Sequence, residues 1–276
     1  MPEISAKLVM TLRDRYNVPM MKSKKALIAV QEGQTSDDKW VEAAYEWLRK
    51  NNEISANFAA RETTQGGLGL AIGNGAGALV LLGCQTDFVS GNDVFKAFVK
   101  QLADTALASG ADNVDALKAA KFEGATVTEA IASKIMSIGE NLAILKVASL
   151  KGPVVVGYNH VGRVATLVAG TGDAEKLRKI ALHTASAPIV PLALDRAGVD
   201  PALVKKEEEI LLATPEVQSK PEAMRPKIIL GKLGRFFKEN TLLEQEMLLD
   251  NEKGETVAGY AKRNGLTVTG FVRLSV

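Results

Sequence analysis

The residues of this sequence that are best suited to catalysis or metal binding are two histidines, His160 and His183, and one cysteine, Cys84. Neither histidine lies at metal-ligand spacing from a carboxylate or from Cys84, so the sequence does not predict a zinc site. Cys84 closes an apolar run and is expected to fill space in the core, not to act as a thiolate nucleophile. No Gly-x-Ser-x-Gly elbow, Walker loop or paired-carboxylate motif stands out. We therefore predict no catalytic residue, no metal and no cofactor, and an interaction protein is favoured over an enzyme.

A glycine-rich segment, Gly66–Gly77, suggests one alternative chemistry. Gly67-Leu68-Gly69 begins like a dinucleotide-binding fingerprint. No helix is predicted to open after these glycines and no Gly-Lys-Ser/Thr follows, although a phosphate loop requires such a context. We expect the glycines to belong to strands, with Asn74-Gly75 forming a hairpin turn. A nucleotide-binding enzyme that uses this segment remains the alternative, and failure to retain a nucleotide on purification would count against it.

The stretch with the clearest functional pattern is Cys84–Asp93. It follows a buried-strand run and precedes an amphipathic helix, which Asn92 or Asp93 is placed to cap. The apolar residues of that helix recur at i, i+3, i+4 and i+7, namely Phe95, Phe98, Val99 and Leu102. Phe88 therefore lies in the joint between strand and helix, on the regular apolar face of neither. Two interpretations are open: Phe88 folds back into its own core, or it is presented to a partner as an interface anchor.

Composition and charge bound the class of protein. The chain has 276 residues, 46% of them hydrophobic and 24% charged, which is ordinary for a folded globular protein. A formal net charge of +2, without a basic stripe interleaved with aromatic residues, does not predict nucleic acid as a partner. No apolar run approaches the roughly 20 residues of a membrane span, so no membrane partner is predicted. One cysteine and an N-terminus without a signal or transit pattern lead us to expect a cytoplasmic protein.

The spacing of apolar residues predicts an α+β protein. Helical periodicity in three segments predicts a three-helix domain at residues 1–52. The pattern then changes, and antiparallel strands mix with helices through a core predicted in two parts, 53–150 and 151–276. Two helical stretches around a proline-containing turn predict a protruding helical hairpin at about 199–240. In the second helix of the N-terminal domain, Met20 and Met21 cannot both point inward, so we expect one of them to be exposed.

Two segments of the core resemble each other. Ala76–Leu82 aligns with Gly162–Val168 at a constant offset, which also pairs Asp87 with Asp173. The chain is therefore predicted to contain two strand–hairpin–strand–helix units, of which only the first carries the Phe88 loop. A feature present in one copy of a duplicated unit is less needed by the scaffold. This difference favours a functional role for Phe88.

The loop Thr86-Asp87-Phe88-Val89, followed by Asn92-Asp93 and Phe95, resembles the signature loop of the elongation factor Ts family. The resemblance covers nearly the whole chain and keeps the family's order. Its other segments are Leu12-Arg13, Met20-Met21, Lys24–Leu27, Glu46–Arg49, Lys134-Ile135, Gly139–Asn141, Tyr158–His160, Gly162-Arg163 and Thr269–Arg273.

The resemblance implies a fold and a function. The N-terminal domain would be a ubiquitin-associated-like three-helix bundle, followed by the duplicated α+β core. The function would be guanine nucleotide exchange on elongation factor Tu during translation elongation. The protein would bind elongation factor Tu in its GDP-bound and nucleotide-free forms and promote GDP release without covalent chemistry.

The resemblance also implies two sets of contact residues. Phe88 would wedge into an apolar pocket of the GTPase near its magnesium site, and Asp87 beside it would hold hydrogen bonds at a helix end of the partner. The exchange contacts as a set would be Thr86, Asp87, Phe88 and Val89. The docking contacts of the N-terminal domain would be Leu12, Met20, Met21 and Lys24. The second half of the core and the helical arm would hold a separate domain of the partner.

The chain departs from the family's pattern in the N-terminal domain. Asn17-Val18-Pro19 stands where the family usually has a Gly-rich turn, and Lys22-Ser23 stands where it has Asp-Cys. Extra residues also lie around Gln31–Lys39.

Overall fold

The structure is a computed structural model that describes residues 4–16, 18–32, 36–51, 61–250 and 252–276. It divides into two compact units. The first contains Met1–Ala71, Ala78–Ala148 and Ser275–Val276, and the second contains Ile72–Gly77 and Ser149–Leu274. The division into three domains remains a prediction: its boundary at 150 lies close to the break between the units, and its boundary at 52 falls outside the described residues.

Three helices form the N-terminal bundle, as the apolar spacing predicts: α1 (Ala6–Tyr16), α2 (Met20–Ala29) and α3 (Asp37–Lys50). Each contributes one apolar face to a shared core that includes Leu8, Leu12, Leu27, Val41 and Leu48. The indole of Trp40 adds a polar tie, because its Nε1 donates to the Leu27 carbonyl oxygen at 2.9 Å. Met136, from a later helix of the same unit, joins this core. A bundle this small gains stability from such docking.

The remainder of the first unit packs helices on a sheet of order β1-β2-β5. Its elements are β1 (Gln65–Gly73), β2 (Ala76–Cys84), α4 (Asp87–Gly91), α5 (Asp93–Ser109), α6 (Val114–Ala119), β3 (Lys121–Phe122), β4 (Ala125–Thr126), α7 (Val127–Ile138) and β5 (Ala143–Lys151). The predicted apolar stripe of α5 is buried against this sheet. The small hairpin of β3 and β4 was missed, because two residues are too few to show a period.

The second unit has a sheet of order β6-β7-β8 and the predicted helical arm. Its elements are β6 (Val154–His160), β7 (Val164–Thr171), α8 (Ala174–Ser186), α9 (Pro201–Ala213), α10 (Pro215–Gln218), α11 (Arg225–Asn240), α12 (Val257–Arg263) and β8 (Thr267–Ser275). Within the arm, α9 packs against α11, and α10 lies in the turn between them. None of the helices in the described ranges is long and apolar enough to cross a membrane. The predicted α+β class is confirmed.

The predicted repeat is confirmed in the order of the elements. Each copy of the repeat has a hairpin followed by a helix, but the connections between hairpin and helix differ. After β7, only Gly172 and Asp173 precede α8, and Asp173 caps that helix by accepting a hydrogen bond from the Lys176 amide at 2.9 Å. After β2, the chain inserts α4 before the equivalent helix begins. Asp87, the counterpart of Asp173, is the first residue of α4 and not its N-cap, and its Oδ1 accepts from the Phe88 amide at 3.0 Å.

The turns of the two hairpins use different residues in the left-handed conformation. In the first hairpin these are Asn74 (φ 50°) and Gly75 (φ 69°), which suit a type I′ turn. In the second they are Val161 (φ 45°) and Gly162 (φ 75°). A β-branched residue at positive φ is strained, and Val161 gains little packing in return because 78% of it is exposed.

We expect Val161→Asn to stabilise the protein by about 1 kcal/mol, because asparagine adopts positive φ with less strain. Urea unfolding should show a higher midpoint at an unchanged slope. The matched control is the reverse exchange, Asn74→Val, which should destabilise by a similar amount. A midpoint for Val161→Asn at or below that of the parent would contradict the assigned strain.

A buried histidine ties together several segments of the second unit. His183 is buried; its Nδ1 accepts from the Leu248 amide at 3.3 Å, and its Nε2 lies 3.1 Å from Gln245 Oε1. Gln245 in turn donates to the carbonyl oxygens of Ile189 and Glu239 at 2.8 and 2.7 Å. Burial lowers the pKa of His183 below its ordinary value of 6.5, and the hydrogen bond with Gln245 offsets part of that shift. The neutral ring is therefore the form that fits this site.

The free energy of unfolding should fall as the pH drops below about 6.5. The unfolded chain takes up a proton on His183 there, while the folded chain does so only at lower pH. The slope from this residue is at most about 1.4 kcal/mol per pH unit. Urea unfolding between pH 7.5 and 5.5 measures it, and His183→Gln should flatten the dependence. The control His160→Gln, at an exposed position, should keep the parent's dependence; equal slopes for both variants would contradict the assignment.

Candidate partner-binding site

The loop after β2 is a short helical turn with a cap at each end. Thr86 is the N-cap of α4, and its Oγ1 accepts from the Val89 amide at 3.3 Å. Asn92 ends α4 and also caps α5, where its side chain accepts from the Val94 amide at 2.8 Å. The sequence allowed either Asn92 or Asp93 to cap α5, and the structure shows that Asn92 is the cap. The joint predicted between strand and helix is itself helical, because each of the two helices has a cap that satisfies an amide in its first turn.

This turn separates the four residues of the motif into two pairs. Asp87 is exposed, and Phe88 is the most exposed large apolar residue of the described chain, with 87% of its surface accessible. Thr86 and Val89 are half-buried, and Val89 packs against the core of the first unit. The interpretation in which Phe88 folds back into its own core is therefore wrong. An aromatic side chain held in solvent has the form of an interface anchor.

The loop is held from below by Glu140, which sequence reasoning did not assign to the site. One carboxylate oxygen, Oε2, accepts from the amides of Gln85 and Thr86 at 3.2 and 3.1 Å. The other, Oε1, accepts from the Thr86 hydroxyl at 2.6 Å. Glu140 follows Gly139, which ends α7 in the left-handed conformation at φ 82°. The sequence offered no signal for this role beyond the resemblance of Gly139–Asn141 to the family, because the partners of Glu140 lie more than fifty positions away.

A second tether reaches the same loop from the neighbouring residue. The amide of Asn141 donates to the Gln85 side chain at 2.9 Å, and the Asn141 side chain donates to the Arg61 carbonyl oxygen at 2.7 Å. On the other side, Thr64 donates to the Gln85 carbonyl oxygen at 3.2 Å. Gln85, the residue before the motif, is thus fixed through its backbone and its side chain. These contacts were also missed, since each joins distant parts of the chain.

The N-terminal bundle presents a second apolar surface on α2. Met20 is 50% exposed, Met21 77% and Ile28 52%, and Lys24 lies among them on the solvent side. The spacing predicted that one of the two methionines would be exposed; both are, because Ser23, Ala26 and Leu27 form the buried face of α2. Ile28 was missed, although its spacing of four from Lys24 and eight from Met20 places it on the same face. We call Met20, Met21, Lys24 and Ile28 the α2 surface.

Leu12 does not belong to this surface. Its side chain is fully buried in the core of the bundle. The structure therefore corrects its predicted role as a docking contact: Leu12 supports the bundle from within, and a partner cannot reach it in this fold. The apolar spacing of α1 already pointed inward at this position.

Two of the departures in the N-terminal domain are buried, whereas Pro19 is exposed and Lys22 is half-buried. Val18 is buried in the bundle core, and Ser23 is buried with its hydroxyl within 3.3 Å of the Val18 and 3.2 Å of the Pro19 carbonyl oxygens. Asn17 lies outside the described residues. Val18 and Ser23 therefore anchor α2 from within, and neither belongs to the α2 surface.

The glycine-rich segment is a hairpin, which argues against the phosphate-loop alternative. Gly66, Gly67 and Gly69 lie within β1, and β1 leads directly into β2 with no helix between them. A Cβ at Gly67 would lie 2.9 Å from the Phe95 ring, and one at Gly69 would collide with the Val99 carbonyl oxygen. The glycines let α5 approach the sheet closely, and they form no cradle at a helix start.

The other residues that the sequence offers for catalysis or metal binding make contacts within the fold. Cys84 is buried with its Sγ 3.3 Å from the Thr86 carbonyl oxygen. His160 lies at the exposed end of a hairpin, with its Nδ1 3.0 Å from the Tyr158 hydroxyl. In the described part of the chain, no group of three or more His, Cys, Asp or Glu side chains is placed to hold a metal ion.

Comparison with known proteins identifies the family. The family model described as Elongation factor TS matches residues 85–276, from the residue before the motif to the end of β8 and beyond. The chain belongs to the elongation factor Ts family. It is 40% identical to "Elongation factor Ts" of Nitrobacter hamburgensis over 296 positions, which cover 100% of this chain and 93% of that protein. It is 38% identical to "Elongation factor Ts" of Ruegeria pomeroyi, covering 99% and 92%. These relatives extend the elongation factor Ts match through the N-terminal bundle.

Phe88→Ala should leave the free energy of unfolding within about 0.5 kcal/mol of the parent, because the side chain makes little contact with its own fold. The matched variant is Phe95→Ala, seven residues away but buried against β1, which should destabilise by about 3–5 kcal/mol. Chemical unfolding of the two variants measures the difference. A large loss for Phe88→Ala would mean that Phe88 belongs to the core.

Proposed function

We propose that this protein is a guanine nucleotide exchange factor that binds elongation factor Tu with GDP bound and promotes GDP release during translation elongation. The single observation that carries the proposal is Phe88, a side chain held 87% exposed on a capped turn and not used in packing its own fold. Membership of the elongation factor Ts family supports the same role. The protein acts without covalent chemistry and requires no cofactor.

Phe88 and Asp87 form the exchange contact in this proposal. The Phe88 ring enters an apolar pocket of the GTPase, and the carboxylate of Asp87 accepts hydrogen bonds from amides at a helix end of the partner. Burying one phenylalanine contributes about 1.5–3 kcal/mol. That range corresponds to roughly a tenfold to a hundredfold change in nucleotide affinity if all of it opposes GDP. Larger exchange effects therefore need further contacts.

The α2 surface supplies further contact energy. Met20, Met21 and Ile28 offer flexible apolar side chains beside the positive charge of Lys24. Docking this surface on the GTP-binding domain holds Phe88 near its pocket at high effective concentration. The second half of the core and the arm hold another domain of the partner. Exchange is then reciprocal: the factor weakens GDP binding by the same amount as GDP weakens the factor.

The setting of this activity follows from the same proposal. The exchange factor works in the cytoplasm, where its buried Cys84 stays reduced. It binds elongation factor Tu in both the GDP-bound and the nucleotide-free forms, because it must stay attached while the nucleotide leaves. Neither nucleic acid nor a membrane is needed as a partner.

Release of fluorescent GDP from elongation factor Tu tests the proposal. We expect the parent protein to accelerate release at micromolar concentration, and Phe88→Ala to lower the acceleration by about tenfold to a hundredfold. Phe88→Ala should still bind elongation factor Tu in a pull-down, through the α2 surface and the core. Absence of acceleration by the parent protein would refute the exchange function.

A matched variant separates the aromatic contact from general effects. Val161→Asn changes another exposed apolar residue on a turn and should release GDP at the parent's rate or close to it. If Phe88→Ala is as active as the parent, the exchange function stands but Phe88 is not its anchor.

A further inference from the structure

We infer that Glu140 is a positioning residue for exchange: it holds the Thr86–Val89 turn in the conformation that presents Phe88. The inference rests on the proposed function and adds to it a residue outside the motif. Glu140 reaches no partner in this role. It acts through Thr86, and its effect should therefore depend on the presence of Phe88.

The contact geometry makes Glu140 the anchor of the turn. Its two carboxylate oxygens accept three hydrogen bonds, from the Gln85 amide, the Thr86 amide and the Thr86 hydroxyl, at 2.6 to 3.2 Å. Hydrogen bonds to an ionised carboxylate are about twice as strong as neutral ones. The carboxylate of Glu140 therefore fixes both the backbone and the side chain of Thr86, the residue before α4.

Thr86 transmits this constraint to the rest of the turn. Because its hydroxyl proton is donated to Glu140, a lone pair of the same oxygen is left facing the Val89 amide, which donates to it at 3.3 Å. Phe88 lies between these two fixed points. Without Glu140, the Thr86 hydroxyl could turn elsewhere, and the cap of a helix of only five residues would weaken.

The consequence is that the turn below Phe88 is already ordered before a partner binds. A side chain 87% exposed receives almost no support from packing, so the backbone beneath it must define its direction. A loop ordered before binding loses less conformational entropy when the complex forms. Glu140 itself is half-buried and its carboxylate is occupied by three donors, which makes it suited to support and not to contact.

A double-mutant cycle on fluorescent GDP release from elongation factor Tu tests the inference. The proteins are the full-length parent, Glu140→Ala, Phe88→Ala and the double variant. Glu140→Ala should lower the release rate by about tenfold in the parent background and by less than about twofold in the Phe88→Ala background, because the turn then presents Asp87 but no aromatic anchor. Equal fold-losses in both backgrounds would overturn the positioning role, as would full activity of Glu140→Ala.

Conservative variants guard against simple misfolding. Glu140→Gln keeps an oxygen acceptor for the two amides but replaces the acceptor of the Thr86 hydroxyl by an NH2 group, so it should lose less activity than Glu140→Ala. Thr86→Ser keeps the hydroxyl that links Glu140 to Val89 and should behave likewise, whereas Thr86→Val removes that hydroxyl and should resemble Glu140→Ala. If Glu140→Gln were as impaired as Glu140→Ala, the bonds to the two amides would contribute nothing to the positioning, and if Thr86→Val were as active as Thr86→Ser, the relay through the hydroxyl would be wrong.

Amide hydrogen exchange tests the same inference without elongation factor Tu. In the full-length protein, Glu140→Ala should speed exchange of the Thr86 and Val89 amides at least about tenfold, while amides in the middle of α5 keep the parent's rates. Unchanged rates at Thr86 and Val89 would overturn the positioning role. If the parent fails to release GDP but these amides lose protection as expected, the exchange function fails, and the role of Glu140 in ordering the turn stands.

Discussion

The hydrogen bonds of one carboxylate organise the candidate site. Glu140 joins the end of α7 to the start of the Thr86–Val89 turn, and everything that the turn presents depends on that junction. A large aromatic residue in water has no packing to hold it, so its position must come from the backbone below. The residues that support Phe88 therefore act on the backbone of its turn, and none of them covers its side chain.

The motif and α2 both have an inward face that holds the segment in place and an outward face that is exposed. Thr86 and Val89 face inward and hold the turn, and Asp87 and Phe88 face outward. On α2, Ser23, Ala26 and Leu27 face inward, and the α2 surface faces solvent. A rigid inner face lets an outer apolar surface stay exposed without collapsing onto its own core. In the proposed exchange function, both surfaces are then ready for the partner before it arrives.

The duplicated hairpins show how one scaffold was used in two ways. The second copy passes from strand to helix through Asp173, which serves as a simple cap. The first copy inserts a turn there, in which Asp87 is the first residue of α4 and not its N-cap, and Phe88 is added. The strain at Val161, where the first hairpin has Asn74, is a second asymmetry between the copies. The scaffold common to both is the hairpin and its helix.

The sequence by itself determined most of the elements and the position of the motif between strand and helix, because periodicity, caps and turn residues act over a few positions. The stripe of α5, the hairpin turn at Asn74-Gly75 and the cap at Asn92 are all local, and the resemblance of Thr86–Val89 to the elongation factor Ts family is equally local. Only the tertiary structure decided the exposure of Phe88, the exposure of both Met20 and Met21, and the role of Glu140. These depend on which face of a helix meets the core and on contacts between residues more than fifty positions apart, and neither is written in local spacing.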